Sequence, residues 1–204
     1  MLAMRLDDDA RPRTRRLEPV SGPVGQARVL SLANQKGGVA KTTSTVNLGA
    51  ALVERGFRVL AIDLDPQSNL TMSLGVDPET LERSMFDVLV SKVPLDEIIA
   101  QRELDLAPAS IDLAGADLAL SSMIGRERAL QKALLPVIDR YDFVLIDTPP
   151  SLGLLTINAL TASDGVIVPV QCEYLSLRGL VQLEATLAMI RENLNPHVRI
   201  RGIL

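Results

Sequence analysis

The residues best suited to chemistry form one run, Asn34-Gln35-Lys36-Gly37-Gly38-Val39-Ala40-Lys41-Thr42-Thr43. Adjacent glycines let a backbone turn so that successive N–H groups point inward, and a helix starting at the same place adds its positive end. Such a cradle suits phosphate. Lys41, at the helix start, is placed to neutralise β and γ phosphates, and the Thr42 hydroxyl to reach Mg²⁺. The strict G-x-x-x-x-G-K-[ST] pattern fails twice, with Gln35 for the first Gly and Ala40 for the second. K-G-G-x-x-K-[ST] fits instead and adds Lys36 at the mouth of the loop. If position 40 needs positive φ, Ala there costs on the order of 1 kcal/mol. The alternative is a glycine turn that merely joins strand to helix.

A loop of this kind needs a strand before it and a helix after it, and the flanking pattern supplies both. Val29 to Ala33 reads as a strand and Lys41 to Arg55 as a helix ended by Gly56. Short apolar runs recur at Arg58–Asp63, Leu104–Ala107, Phe143–Asp147, Gly165–Val170 and Val198–Leu204, the last apolar enough to predict a buried strand. Between them, helical spacing covers Ser84–Ser91, Pro94–Ala100, Ile111–Ser122, Gly125–Arg140, Leu152–Ala162 and Leu177–Asn193, while Leu64–Pro78 is polar and turn-rich. Strands alternating with helices predict an α/β fold, a mostly parallel sheet with helices on both faces. Residues 1–26, rich in Arg, Asp, Pro and Gly and without period, read as a disordered arm before one domain over 27–204. Its arginines could touch DNA or lipid, but Asp7, Asp8 and Asp9 beside them fit an inert solvated tail equally well.

Four motifs in order carry a resemblance: the lysine-glycine loop; Asp63-Leu64-Asp65-Pro66-Gln67-Ser68-Asn69; Phe143 to Pro150 (FVLIDTPP); and Val168-Pro169-Val170-Gln171-Cys172-Glu173-Tyr174 with Leu177 and Gly179. Together they resemble the deviant P-loop ATPases of the ParA/Soj partitioning family, relatives of MinD, from about Arg28 to Leu204. The D-x-D-P-Q-x-N form favours the partitioning branch. The resemblance implies a P-loop NTPase fold, ATP and Mg²⁺ as cofactors, and ATP held by Lys36, Gly37, Gly38, Val39, Ala40, Lys41, Thr42 and Thr43. It implies that Lys36 crosses to a partner subunit's phosphates, that Lys41 acts in catalysis, and that Asp65 orients the attacking water. By the same resemblance Thr42 and Asp147 serve the metal, Asp63 assists near it, and Thr148-Pro149-Pro150 is a switch segment. The implied partners are a second copy when ATP is bound, non-specific double-stranded DNA and a ParB-type centromere-binding protein, with no membrane. The implied role is chromosome or plasmid partitioning on the nucleoid. The alternatives are a MinD-like membrane-surface ATPase, for which no C-terminal amphipathic helix is seen, and a nucleotide-binding fragment without turnover.

Composition bounds these readings. The chain has 204 residues, 47% hydrophobic and 23% charged, ordinary values for one soluble domain. One cysteine excludes a disulfide framework, zinc sites built on cysteine pairs and the two-cysteine cluster of iron-protein relatives. With no long apolar run either, a cytoplasmic protein is expected. A net charge of −4 means that any DNA contact rests on a local patch. An aromatic content of 2% without Trp argues against base-stacking platforms. Cys172 reads as a small buried hydrophobe, His197 as a surface turn residue and the methionines as core filling. Family members usually continue past the last strand into adenine-binding and DNA-contacting segments, so the chain is expected to be C-terminally truncated, with those contacts beyond Leu204.

Overall fold

The computed structural model describes residues 27–171 and 176–204, without the side chains of 176–178. The proposed arm and Cys172 lie outside the described residues. Six strands, β1 (Arg28–Leu32), β2 (Val59–Asp63), β3 (Asp105–Ala107), β4 (Phe143–Asp147), β5 (Gly165–Val168) and β6 (Arg199–Ile203), form one sheet in the order β3-β2-β4-β1-β5-β6. Every pairing between them is parallel. The helices are α1 (Lys41–Val53), α2 (Asn69–Ser73), α3 (Ala116–Ser121), α4 (Ala129–Leu134), α5 (Leu154–Ala162) and α6 (Ser176–Asn193).

Apolar runs without polar alternation are what a parallel sheet covered on both faces requires. The twofold period of the strands then divides their side chains between two layers. Leu60, Ile62, Val144 and Ile146 pack with Ala116 of α3, Leu130 and Leu134 of α4, and Leu155 and Ala159 of α5. Their neighbours Val59, Ala61 and Leu145 pack on the other face with Leu70 of α2 and Val46, Leu48 and Leu52 of α1. Beyond β1, Val166 and Val168 of β5 meet Leu183, Leu187 and Ile190 of α6.

Register fixes the site. Leu32 pairs with Asp147, and Asp63 pairs with Asp147 from the other side, so β1, β4 and β2 end level. The phosphate loop, Asp63 and Asp147 therefore share one edge of the sheet, where ligands of open α/β sheets bind.

Several expected elements are corrected. The turn-rich stretch after β2 contains α2. The helix expected over Ser84–Ser91 is present but winds as a wider π-helix over Asp87–Ser91, whereas Pro94–Ala100 yields one short 3₁₀ turn, Leu95–Glu97, before Ala100 bridges to Leu106. Lys92 at φ 60 and Pro94, which holds its predecessor extended, break the continuity. Pro136 likewise stops α4, so Gly125–Arg140 is not one helix. The final strand is not buried: β6 is an edge strand whose residues alternate between exposed and half-buried, with Val198 before it carrying the core contact. Met85 is core, but Met72 and Met189 are exposed. His197 lies exposed in a turn, its N–H donating to Asn195 Oδ1 at 3.0 Å.

Candidate nucleotide and metal site

Asn34 anchors the loop as it leaves β1. Its Nδ2 donates to the Pro169 carbonyl at 2.6 Å and its Oδ1 accepts the Lys36 N–H at 3.0 Å, tying the loop to the end of β5. Gly38 takes φ 73 and Ala40 φ 65, both left-handed. Ala40 is the N-cap of α1 and supplies no side-chain cap. The first N–H groups of the helix thus face outward with its positive end, as an anion site requires. Val39 is buried beneath the loop, whereas Thr43 is exposed on its rim.

Lys41 is buried, with Nζ 3.5 Å from the Lys36 carbonyl. Burial lowers its amine below the ordinary lysine range, opposed by the charges of Asp147 and Asp65. Thr42 Oγ1 donates to Asp147 Oδ2 at 2.5 Å. The other oxygen, Asp147 Oδ1, is buried without a partner. Burial above all pushes the Asp147 carboxyl up to about 7; Asp63 and Asp65 add to the rise, while the Thr42 bond and Lys41 oppose it. A hydroxyl, a carboxylate and an orphaned buried oxygen fit a hard cation that keeps most of its waters. No group of three His, Cys, Asp or Glu among the described residues forms a cation cage, as expected where phosphate and water complete the shell.

Asp63 is equally buried but fully engaged. Its Oδ1 accepts the Asp65 N–H at 3.0 Å, and its Oδ2 accepts Thr71 N–H at 2.9 Å and Thr71 Oγ1–H at 2.7 Å. Desolvation dominates those bonds and raises its carboxyl to about 6. Asp65 accepts the Gln67 N–H at 3.0 Å and borders an open cleft of about 500 Å³ lined also by Gly37, Lys41, Thr42 and Pro150. Thr148, first of the expected switch segment, is buried and donates to the Leu32 carbonyl at 2.8 Å.

The structure thus brings Lys41, Thr42 and Asp65 around one cleft, with Asp147 buried against Thr42 and Asp63 paired with Asp147 on the next strand. Lys36 lies at the mouth, where its Nζ donates to Gln171 Oε1 at 3.1 Å and Gln171 Nε2 donates to the Gly38 carbonyl at 3.1 Å. Sequence reasoning assigned no role to Asn34, Thr71 or Gln171. Only Gln171 and Asn34 stood in quoted motifs, and their contacts join positions 135 residues apart. No helix of the described residues is long and apolar enough to cross a membrane.

Residues 27–200 match the family model AAA_31, an AAA domain. An uncharacterized protein of Mycobacterium tuberculosis is 51% identical over 184 residues, 88% of this chain, which spans only 58% of that relative's length. The sporulation initiation inhibitor protein Soj of Bacillus subtilis is 49% identical over 180 residues, covering 87% of this chain and 71% of Soj. Among solved structures, cobyrinic acid a,c-diamide synthase from Mycobacterium smegmatis, with bound ATP analog and magnesium, superposes with a TM-score of 0.85 at 49% identity. That match covers 87% of this chain and 74% of the other.

Proposed function

From the premise that this chain belongs to the ParA/Soj family of P-loop ATPases, we propose that it binds and slowly hydrolyses Mg²⁺-ATP and uses the ATP-bound dimer to partition DNA. The observation that carries the reading is the pairing of Thr42 with Asp147 beneath the loop, leaving Asp147 Oδ1 buried and unpartnered beside Lys41. The backbone N–H groups of the loop hold the phosphates and Lys41 neutralises them. Thr42 and Asp147 would hold the ion, which would offset phosphate charge when bound. Asp65, on the opposite lip, orients the attacking water, and Lys36 extends to the phosphates of a second copy, as an arginine finger does in trans. Dimerisation licenses non-specific duplex binding, and a ParB-type protein stimulates hydrolysis and releases the dimer. The protein acts on the nucleoid in the cytoplasm.

The test is turnover by this chain with ATP and Mg²⁺, alone, with duplex DNA, and with DNA plus a ParB-type partner. Stimulation by DNA and partner, lost in Asp65→Ala while ATP binding persists, supports the reading. Parent-rate hydrolysis by Asp65→Ala overturns the role of that residue. Lys36→Ala is expected to keep nucleotide binding but lose the ATP-dependent dimer, and Lys41→Ala to lose binding itself. Activation by anionic vesicles instead of DNA points to a MinD-like ATPase, activation by cobyrinic acid to the chemistry named for the mycobacterial neighbour, and binding without turnover to a nucleotide-holding fragment.

A further inference from the structure

Two aspartates end neighbouring strands at the same register position, yet they face different neighbours. Asp147 Oδ2 meets the hydroxyl of Thr42 in the phosphate loop and Asp147 Oδ1 meets nothing. Asp63 is turned toward the segment that follows it. Its Oδ1 takes the N–H of Asp65 and its Oδ2 takes both the N–H and the hydroxyl of Thr71, all within 3.0 Å. Thr71 is fully buried, and its Oγ1 also accepts the Ala109 N–H at 2.9 Å. That bond occupies the hydroxyl oxygen from the side of β3 and commits its proton to Asp63. One carboxylate therefore grips both ends of the 65–71 segment, which includes the start of α2 and the left-handed Ser68 at φ 54. Leu64, immediately before the segment, is pinned separately by its N–H to the Asp147 carbonyl at 3.0 Å.

We infer that Asp63 is a positioning residue for Asp65: through Thr71 it sets where the water-orienting carboxylate stands, and it takes no part in holding Mg²⁺. This rests on the reading of Asp65 given above. An ionised carboxylate accepting three hydrogen bonds has little lone-pair capacity left for a cation. Asp147, by contrast, keeps an entire oxygen for one. The device also links the loop after β3 to the cleft, since Ala109, Thr71, Asp63 and Asp65 form one continuous chain of hydrogen bonds.

The discriminating set is Asp63→Asn, Thr71→Val, Thr71→Ser and Asp147→Asn in the full chain. Two readouts apply: kcat and KM for ATP, and the Mg²⁺ concentration needed for half-maximal binding of a fluorescent ADP. Asp63→Asn and Thr71→Val are expected to lower kcat by about 10–100-fold with KM nearly unchanged, as misplacement of a catalytic group does. Both should leave the Mg²⁺ requirement at the parent value, while Asp147→Asn raises it about tenfold or more. Thr71→Ser, which keeps the hydroxyl, should restore turnover. An Mg²⁺ requirement raised by Asp63→Asn as much as by Asp147→Asn overturns the inference, as does parent kcat in Thr71→Val. If Asp65→Ala hydrolyses ATP at the parent rate, the Asp65 reading fails, and amide hydrogen exchange in nucleotide-free protein still decides the anchoring. Faster exchange at Asp65 and Thr71 in Asp63→Asn and Thr71→Val, but not in Asp147→Asn, upholds it; unchanged exchange refutes it.

Discussion

Replacing Ala40 by Gly should make this protein more stable, although Gly for Ala usually does the reverse. Ala40 sits at φ 65, ψ 31 with its side chain exposed, so no packing is lost on removing the Cβ. A left-handed L-residue carries about 1–2 kcal/mol of steric cost. Gly removes that cost but returns about 0.4–1 kcal/mol of entropy to the unfolded chain. The difference is a stabilisation of roughly 0.5–1 kcal/mol, or about 1–4 °C in Tm for a chain of this size. Ala50→Gly is the matched control, because Ala50 is exposed inside α1 and the same change there costs about 1 kcal/mol. Thermal and urea melts followed by far-ultraviolet circular dichroism, without nucleotide, read both variants. Opposite signs at the two positions are expected. A Tm loss in Ala40→Gly equal to that of Ala50→Gly would show that the loop does not hold position 40 left-handed, and the cradle geometry would fall with it.

Three further outcomes follow from buried polar groups and close contacts in the structure. Asp147, lifted from 3.8 to about 7 in the folded protein, takes up a proton on folding between those values, so stability falls as pH rises through that window and the penalty is complete above it. Asp147→Asn should therefore melt higher than the parent at pH 8 without nucleotide and with a flatter pH profile; a gain of roughly 1–2 kcal/mol remains after the cost of a buried, unpaired amide, and a lower Tm at pH 8 would contradict the assigned cause. Buried Asn158 on α5 accepts the Leu130 N–H at 3.1 Å and donates to the Arg126 and Leu154 carbonyls at 2.8 and 2.9 Å, so Asn158→Ala should cost about 2–4 kcal/mol in urea unfolding. Gly153→Ala should cost at least about 1 kcal/mol, since the new Cβ would stand 2.2 Å from Asp117 Oδ2 and displace the carboxylate that accepts the Leu155 N–H at the start of α5; unchanged urea midpoints would refute each.

The sheet was legible because buried parallel strands are written as short apolar runs, and β1 to β5 appeared where such runs stand; β6 was also expected, but its alternating RIRGI belongs to an exposed edge and not to the core. The phosphate loop was legible because its residues are contiguous. The helix α5 was legible too, expected over Leu152–Ala162 and found over Leu154–Ala162, but the extent of α4 within Gly125–Arg140 was not. The second N–H of α4, that of Leu130, is satisfied by Asn158, 28 positions away. No local start signal marks such a helix, and its length is set by the packing around it. The engagement of Asp63 was hidden for the same reason, since its partner Thr71 belongs to a helix within a stretch that reads as turns. The resemblance put Asp63 and Asp147 both near the metal, but only the hydrogen bonds separate what each one faces.

The central position of β1 carries a consequence for synthesis. Arg28 pairs with Phe143, and Leu30 pairs with Gly165, roughly 115 and 135 residues later. At ribosomal speeds of about 5–20 residues per second, β1 is synthesised about 6–23 s before β4 exists to pair with it. Throughout that interval an apolar strand with two open edges trails a phosphate loop that has no floor. The segment most exposed to mispairing in the nascent chain is thus the one on which the finished site is built, and a chain interrupted before β4 has no cleft at all.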